Sequence, residues 1–337
     1  MNKDVLNTSP NAPVLVGIDG SDIALRALDR ALSEARARHV PVRLISAYPL
    51  IAVGEPSLEA RFHEAVVAES KSYLAAASEY AREHAPDLEV QDVLGEGEAA
   101  RAVLEEARSA CLVVLGKRGR GGALRGRLGS VSAAVAAHSP VPVIVVPPSE
   151  KQDASDAEVV RQEARASEDV RVPDAKAKDD DQLSASQTDY TGSVVVGVDA
   201  SGEKNPAVAQ AVEYAVAHGC ALSIVSVNGA LSGTPEWFQD QYNRPYYFQE
   251  ALEKLSELAQ RISGEHPNLT VTQHAFLGRP GRVLVQATRT ADLVVVGSRG
   301  IGGFTGLLLG SVSQAVLGAA AGPVMVVPSG RGAEHCL

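Results

Sequence analysis

Residues 112–130 read LVVLGKRGRGGALRGRLGS, an apolar run followed by a glycine-rich turn and the start of a second apolar segment. Residues 293–311 repeat this plan as LVVVGSRGIGGFTGLLLGS. In both stretches Gly-x-x-Gly is followed by nine residues and then by Gly-Ser. A strand that is apolar throughout is typical of a parallel sheet covered on both faces. The stretch therefore predicts an α/β fold with the order strand, flexible turn, helix N-terminus.

The repeat extends to the rest of the chain. VLVGID at 14–19 returns as VVVGVD at 194–199, an offset of 180 residues, and PVIVVP at 142–147 returns as PVMVVP at 323–328, an offset of 181. Units of this length are duplicated domains rather than short structural repeats. We predict domains at 1–148 and 193–329, an acidic and largely disordered linker at 149–192, and a tail at 330–337.

Each copy alternates β-branched runs with amphipathic stretches, the pattern of βαβ units. The predicted strands are 13–19, 41–47, 88–94, 111–116 and 141–147 in the first copy, and 193–199, 221–227, 269–276, 292–297 and 323–328 in the second. The predicted helices are 22–39, 58–84, 97–109 and 129–138, then 206–218, 246–264, 280–290 and 310–320. Five parallel strands with right-handed crossovers make a doubly wound, Rossmann-like sheet. Such sheets bind ligands beyond the carboxyl ends of their strands.

Composition narrows the function classes. The chain has 337 residues and a net charge of −10, which argues against a general nucleic-acid binder. No apolar run reaches the roughly 20 residues needed to span a membrane, and the N-terminus shows no secretory signal. We expect a cytoplasmic protein whose three cysteines are unpaired in a reducing compartment.

The glycine turn has the features of a phosphate site. Glycines let backbone N–H groups curl around an anion, and the following helix presents free N–H groups and the positive end of its dipole. Serines at the helix start can cap it and reach a phosphate oxygen. A purely structural turn remains the alternative, and neither a Walker A loop nor G-x-G-x-x-G is present. The candidate phosphate-binding residues are Gly116, Gly119, Gly129 and Ser130 in the first copy, and Gly297, Gly300, Gly310 and Ser311 in the second.

Other strand ends supply the rest of the predicted site. Asp19 and Asp199 end the first strand of each copy, where a carboxylate suits ribose hydroxyls or an adenine amino group. The alternative for both is a cap or turn residue for the next helix. Ala47 and Val227 end the second strands, where adenine could lie, although other strand ends would look similar.

These motifs, twice in register, resemble the universal stress protein family in its tandem form, over both halves of the chain. The resemblance implies the family's adenine nucleotide alpha hydrolase-like fold and ATP, with Mg²⁺ carried by the triphosphate. It implies that Asp19 and Asp199 face the adenosine, that Ala47 and Val227 face adenine, and that the glycine turns hold the phosphates. It also implies pairing through the fifth strands, between the two halves or in a homodimer, and a role in stress survival and dormancy.

The copies differ in charge and in aromatic content. The first turn holds the cations Lys117, Arg118, Arg120, Arg125 and Arg127. The second holds Arg299 together with Phe304 and the run Leu307–Leu309. We predict tighter triphosphate binding by the first copy at low salt, unless its arginines point into solvent or pair with linker acids. An aromatic-rich insertion at 237–248 is interpreted either as a cover over the core or as a lid or docking patch.

No catalytic constellation is visible, because the eight histidines are mostly isolated and none forms a C-x-x-C, H-E-x-x-H or G-x-S-x-G arrangement. Three hypotheses remain: an ATP-binding regulatory protein with an unidentified protein partner, a slow ATPase, and a scaffold with structural turns that binds no nucleotide. Motifs intact in both copies argue against the scaffold. The missing catalytic groups argue against an enzyme.

Overall fold

The computed structural model describes residues 11–52, 54–119, 128–148, 188–199, 205–228, 244–299 and 309–329. Within these ranges each half alternates five strands with four helices. The first half consists of β1 (Val14–Gly17), α1 (Asp22–Arg38), β2 (Val42–Tyr48), α2 (Pro56–His84), β3 (Val90–Glu96), α3 (Ala99–Glu106), β4 (Leu112–Gly116), α4 (Ser130–His138) and β5 (Val143–Val146). The second half consists of β6 (Ser193–Val198), α5 (Pro206–His218), β7 (Ala221–Asn228), α6 (Arg244–Glu265), β8 (Val271–Leu277), α7 (Pro280–Ala287), β9 (Leu293–Gly297), α8 (Ser311–Ala319) and β10 (Val324–Val327).

The predicted elements are present in the predicted order. All ten strands lie within two residues of their expected bounds. The largest differences, three residues each, are at the ends of two helices. Helix α3 stops at Glu106, where a 3-10 turn at Ala107–Ser109 follows, and α7 stops at Ala287, where Thr288 and the residues after it form turns. Residues 149–187 of the linker and 237–243 of the aromatic insertion lie outside the described residues.

The first crossover helix of each half begins and ends by local backbone chemistry. Ser21 caps α1 and Asn205 caps α5, each accepting a hydrogen bond from a backbone N–H of the first turn. At the other end the chain leaves the helix through a left-handed residue, His39 (φ 56°) in α1 and Gly219 (φ 63°) in α5. A left-handed residue there satisfies the last carbonyls of the helix and turns the chain toward the next strand.

The ten strands form one continuous sheet in the order β3-β2-β1-β4-β5-β10-β9-β6-β7-β8. Neighbours within each half are parallel, and the two halves meet where β5 and β10 pair antiparallel, with Ile144 opposite Met325. This confirms the α/β prediction, and pairing through the fifth strands joins the two halves of one chain.

Both faces of the sheet carry a hydrophobic core that crosses the junction. Ile144 and Met325 contribute to the core beneath α1, α2, α5 and α6, and Val145 and Val324 to the core beneath α3, α4, α7 and α8. All four side chains are at most 2% exposed. Burial on both faces explains why PVIVVP and PVMVVP are continuously apolar instead of alternating.

A partly buried polar contact joins α1 to α5 on one side of the junction. Arg30 Nη2 donates to the Tyr214 hydroxyl at 2.8 Å, and the guanidinium carbon lies 5.1 Å from the centroid of the Tyr214 ring. The Arg30 Nε also donates to Glu34 Oε1 at 2.9 Å. Arg30 therefore links a carboxylate of its own helix to a side chain of the other half.

Glu34 is the centre of this cluster, and its side chain is fully buried. Its Oε2 lies 3.4 Å from His218 Nε2 and 3.6 Å from Arg38 Nε, and Arg38 also pairs with Glu213 of α5. Burial alone would raise the pKa of Glu34, but the contact with His218 and the charges of the neighbouring arginines outweigh it and lower the pKa. The ionised form of Glu34 thus depends on partners from both halves.

Candidate functional site

The candidate site of the first half lies beyond the carboxyl ends of β1 and β4. There the structure brings together two residues one hundred positions apart in sequence, Asp19 and Gly119. A Cβ added to Gly119 would lie 2.2 Å from Asp19 Oδ2, so only glycine lets the turn approach this carboxylate so closely. The structure thus places one predicted adenosine-facing residue, Asp19, beside one predicted phosphate-facing residue, Gly119.

The other carboxylate oxygen of Asp19 organises the start of α1. Oδ1 accepts hydrogen bonds from the Ser21 backbone N–H at 3.0 Å and from the Ser21 hydroxyl at 2.6 Å. Ser21 in turn caps α1 by accepting from Ala24 N at 3.2 Å. The turn role expected as an alternative for Asp19 is therefore real, and it leaves Oδ2 directed at the glycine turn.

Main-chain hydrogen bonds hold the first glycine turn. Lys117 N donates to Val146 O at 2.7 Å, and Gly129 N donates to Lys117 O at 2.9 Å. The Ser132 hydroxyl donates to Gly116 O at 2.7 Å. These bonds tie the end of β4 to the end of β5 and to the first turn of α4.

The second turn has the same framework. Ser298 N donates to Val327 O at 2.7 Å, Gly310 N donates to Ser298 O at 2.8 Å, and the Ser313 hydroxyl donates to Gly297 O at 2.7 Å. Gly300 lies outside the described residues, and Asp199 is half-buried just after β6.

The two serines at the helix starts do not act as the predicted caps. Gly129 and Gly310 are the N-cap residues, in extended conformation and without a side-chain cap, while Ser130 and Ser311 are the first helical residues. Because a first helical residue lies past the cap position, its hydroxyl cannot bond back to the N–H groups of the first turn. Both serines are exposed, so their hydroxyls face outward beside those N–H groups.

The hydroxyls that hold the turns, those of Ser132 and Ser313, were not predicted from the sequence. The signal was present, because both copies read Gly-Ser-Val-Ser at the helix start. The second serine of this motif is buried and bonds to the carbonyl of the last residue of the strand.

Ala47 and Val227 lie where the second strands end, at the same edge of the sheet. Ala47 pairs in register with Gly95 and Val227 with Phe276, and both are partly buried against the core of their face. In the first half, the residue after β1 is hydrogen-bonded to β2, since Ile18 N donates to Ile45 O at 2.8 Å. The predicted adenine-facing positions are thus one strand away from the carboxylate.

The prediction that Lys117 adds positive charge to the first site is wrong. Its side chain is only 4% exposed, and Nζ donates to Ala320 O of the other half at 3.3 Å. The reason is the antiparallel junction, which places the end of β4 beside the end of α8. Arg120, Arg125, Arg127, Phe304, Leu307 and Leu308, named in the charge comparison, lie outside the described residues.

The described residues contain neither a metal-binding cluster nor a membrane-spanning helix. No cluster of three or more His, Cys, Asp or Glu side chains suited to a metal ion occurs there. No helix in that part of the chain combines the length and apolarity required to cross a bilayer.

Comparison with known proteins relates both halves to one family. The model of the Universal stress protein family matches residues 11–147 and again 191–328. A universal stress protein of Mycobacterium tuberculosis is 29% identical over 336 residues, which covers 94% of this chain and 95% of the relative. A second from the same organism is 30% identical over 324 residues, with 93% and 96% covered.

A solved structure supports the fold. The crystal structure of a universal stress protein from Archaeoglobus fulgidus matches with a TM-score of 0.57, covering 97% of this chain and 99% of that chain. Its sequence identity is 19%, so the likeness speaks for the shared architecture.

Proposed function

The chain belongs to the universal stress protein family, and we propose that each half binds one ATP, with Mg²⁺ on the triphosphate. We propose further that the bound nucleotide governs the protein's interaction with partners or its assembly during stress. The observation that carries this proposal is the approach of the Gly116–Gly119 turn to Asp19, which leaves no room for a Cβ between them. The equivalent turn in the second half has the same main-chain framework.

Each part of the site has chemistry suited to one part of ATP. The turn and the first turn of α4 offer backbone N–H groups and a helix dipole to the phosphates. The exposed Ser130 hydroxyl adds a further donor. The Asp19 carboxylate accepts hydrogen bonds, as ribose hydroxyls and the adenine amino group require. Ala47 offers a small apolar surface to the base. Asp199, Val227 and the turn from Gly297 to Ser311 take the same roles in the second half.

A regulatory binder is favoured over an enzyme. Hydrolysis needs a residue that positions water in line with the γ-phosphate, and no candidate for this role was identified in the sequence. The triphosphate therefore acts as a ligand whose presence or absence is the signal.

The test is the nucleotide content of the freshly purified chain, released by heat and quantified by chromatography. We expect two ATP per chain for the native protein and one for Gly119→Ala, because the added Cβ displaces the Asp19 carboxylate. Gly264→Ala is the matched control, since a Cβ there meets nothing within 4 Å.

The other outcomes discriminate among the alternatives. ADP in place of ATP would favour slow hydrolysis, to be followed by a turnover assay. Absence of nucleotide, together with no uptake when Mg-ATP is titrated in, would mean that the turns are structural and would reject the proposal.

A further inference from the structure

Helix α8 is attached to both candidate sites. Its first residue, Ser311, belongs to the second site, and the carbonyl of Ala320, just past its last turn, accepts the hydrogen bond from Lys117 of the first. A helix of nine residues is about 13 Å long. Helix α8 therefore extends from the second site to the end of the Lys117 side chain, whose backbone lies in the first site.

The backbone of Lys117 is held by the first glycine turn. Its N–H bonds to Val146 and its carbonyl accepts from Gly129, so the direction of its side chain depends on the turn's conformation. The ammonium is buried at the C-terminal end of α8, where helix carbonyls carry partial negative charge. Because a buried ammonium needs such partners, Lys117 cannot leave this contact without cost.

The other end of α8 is held by the second turn. The Ser313 hydroxyl bonds to Gly297 O at 2.7 Å, and Gly310 N bonds to Ser298 O at 2.8 Å. A change in the second turn therefore acts directly on the N-terminal end of the helix whose C-terminal end contacts Lys117.

By symmetry, the residue after β9 could contact the end of α4 as Lys117 contacts the end of α8. Local hydrogen bonds take the place of that contact. Ser298, the counterpart of Lys117, has its hydroxyl 2.9 Å from that of Ser329 in its own half. Ser139, the counterpart of Ala320, bonds to Val141 O at 2.7 Å. The lysine contact thus has no symmetric counterpart at these two positions.

We propose that Lys117 is a positioning residue that couples the two nucleotide sites through α8. This inference rests on the proposed function, since it assumes that both sites bind ATP. A nucleotide in the first site adds its own contacts to the turn that main-chain hydrogen bonds already hold. It thereby restrains Lys117 and the end of α8 further, so the second site loses less freedom when its own ligand binds. Binding free energies are reciprocal, so filling the second site strengthens the first to the same degree.

The experiment is calorimetric titration of the nucleotide-free full-length chain with Mg-ATP. Two single-site chains give the uncoupled dissociation constants: Gly119→Ala keeps the second site, and Gly297→Val, whose Cβ would lie 3.1 Å from Arg299 O, keeps the first. We expect the native chain to bind its second ATP about fivefold or more tightly than these constants predict. For Lys117→Met chains, the measured titration curve should coincide with the curve calculated from the two single-site dissociation constants.

Two further variants exclude a general effect on folding. Lys117→Arg keeps charge and reach and should retain the coupling at least in part. Lys71→Met removes an exposed lysine of α2 and should leave the coupling unchanged. Thermal melting confirms that each variant is folded before titration.

The outcomes separate the two proposals. If the native chain takes up no ATP, the proposed function fails and the coupling fails with it. If both sites bind but the native chain behaves as two independent sites, or binds its second ATP more weakly, only the coupling is overturned. Coupling that survives in Lys117→Met also overturns the role of this residue.

Discussion

The described parts of the two glycine turns have the same hydrogen-bond framework and differ in the side chain that follows the strand. The hydrogen bonds that hold the turns are equal within 0.1 Å, but position 117 is a lysine that reaches the other half and position 298 is a serine that bonds within its own. The duplicated unit has therefore kept its main-chain framework while its side chains diverged. A shared motif is not evidence of equal sites.

The interface helices differ in the same way. Because α1 and α5 end at equivalent left-handed residues 180 positions apart, Glu34 corresponds to Tyr214 and Arg38 to His218. At these two positions α1 carries charged side chains and α5 carries rings, so the contact is complementary rather than symmetric. Two identical copies of α1 would instead bring two buried glutamates close together, which is unfavourable.

The largest effect is expected where this complementarity is broken, in Glu34→Gln. Removing the buried carboxylate leaves Arg30, Arg38 and His218 without their shared counter-charge, a change that typically costs about 3–5 kcal/mol. The measurement is the free energy of unfolding in denaturant. Glu105→Gln, which removes the partner of Arg101 in an exposed pair, is the control and should cost under about 1 kcal/mol. Similar losses in the two variants would contradict the importance of the cluster.

The pH dependence of this effect follows from the lowered pKa of Glu34. A depressed carboxylate pKa stabilises the fold above its ordinary value of 4.5, and the contribution is lost as pH falls through the folded-state value. The difference in the free energy of unfolding between the native and Glu34→Gln chains should therefore shrink as the pH falls below 4.5.

The glycines before the helices should respond unequally to one substitution. A Cβ at Gly129 would lie 3.2 Å from Lys117 O, whereas a Cβ at Gly310 would lie 3.6 Å from Ser298 O, an ordinary contact. Crowding of this kind costs about 1–3 kcal/mol. We expect Gly129→Ala to weaken ATP binding in the first half by about tenfold or more, and Gly310→Ala to change the second half little. Equal losses in titrations of chains with the opposite site disabled would contradict this difference.

The salt dependence of ATP binding tests the difference in charge between the two turns. With Lys117 buried elsewhere, the first turn still has Arg118, Arg120, Arg125 and Arg127 against Arg299 in the second. If each of the three extra charges contributes about 0.2–1 kcal/mol, the first site gains about 0.6–3 kcal/mol, which is about threefold to about 150-fold tighter binding at low salt. The gap should narrow in about 0.5 M salt. A gap that is absent at low salt, or independent of salt, would show that these arginines do not face the triphosphate.

The smallest effect is expected at His274 of β8, whose counterpart in β3 is Val93. Burial lowers the pKa of His274 from its ordinary value of 6.5. The unfolded chain then binds a proton more readily than the folded one, so stability falls as pH drops below 6.5 until the folded-state pKa is reached. The denaturation midpoint of His274→Val should decline slightly less over this interval than that of the native chain. Identical declines would exclude His274 as a source of acid sensitivity.

Much of the fold could be predicted because its signals are local. Continuous apolar runs such as 142–147 indicate buried parallel strands, and the repeat at 180 and 181 residues gives the second half from the first. The approach of Gly119 to Asp19 also follows from sequence, since carboxyl ends of parallel strands meet at one edge.

The remaining features depend on which elements meet in three dimensions. The long side chain of Lys117 could have reached the phosphates or the neighbouring domain, and only the antiparallel junction decides between them. The cluster around Glu34 joins helices that no local pattern pairs. The capping error at Ser130 is a shift of one residue, because a glycine can itself occupy the N-cap position.

The single sheet also has consequences at its two outer ends, β3 and β8, where the described strands have no further neighbour. Unpaired sheet edges invite pairing with another molecule, and charged side chains discourage it. Asp92 and Glu96 make one edge acidic, whereas β8 carries no carboxylate or ammonium. At high concentration, ribbon-like self-association of this protein should therefore begin at β8, and a lysine introduced there would be the first change to make for a better-behaved preparation.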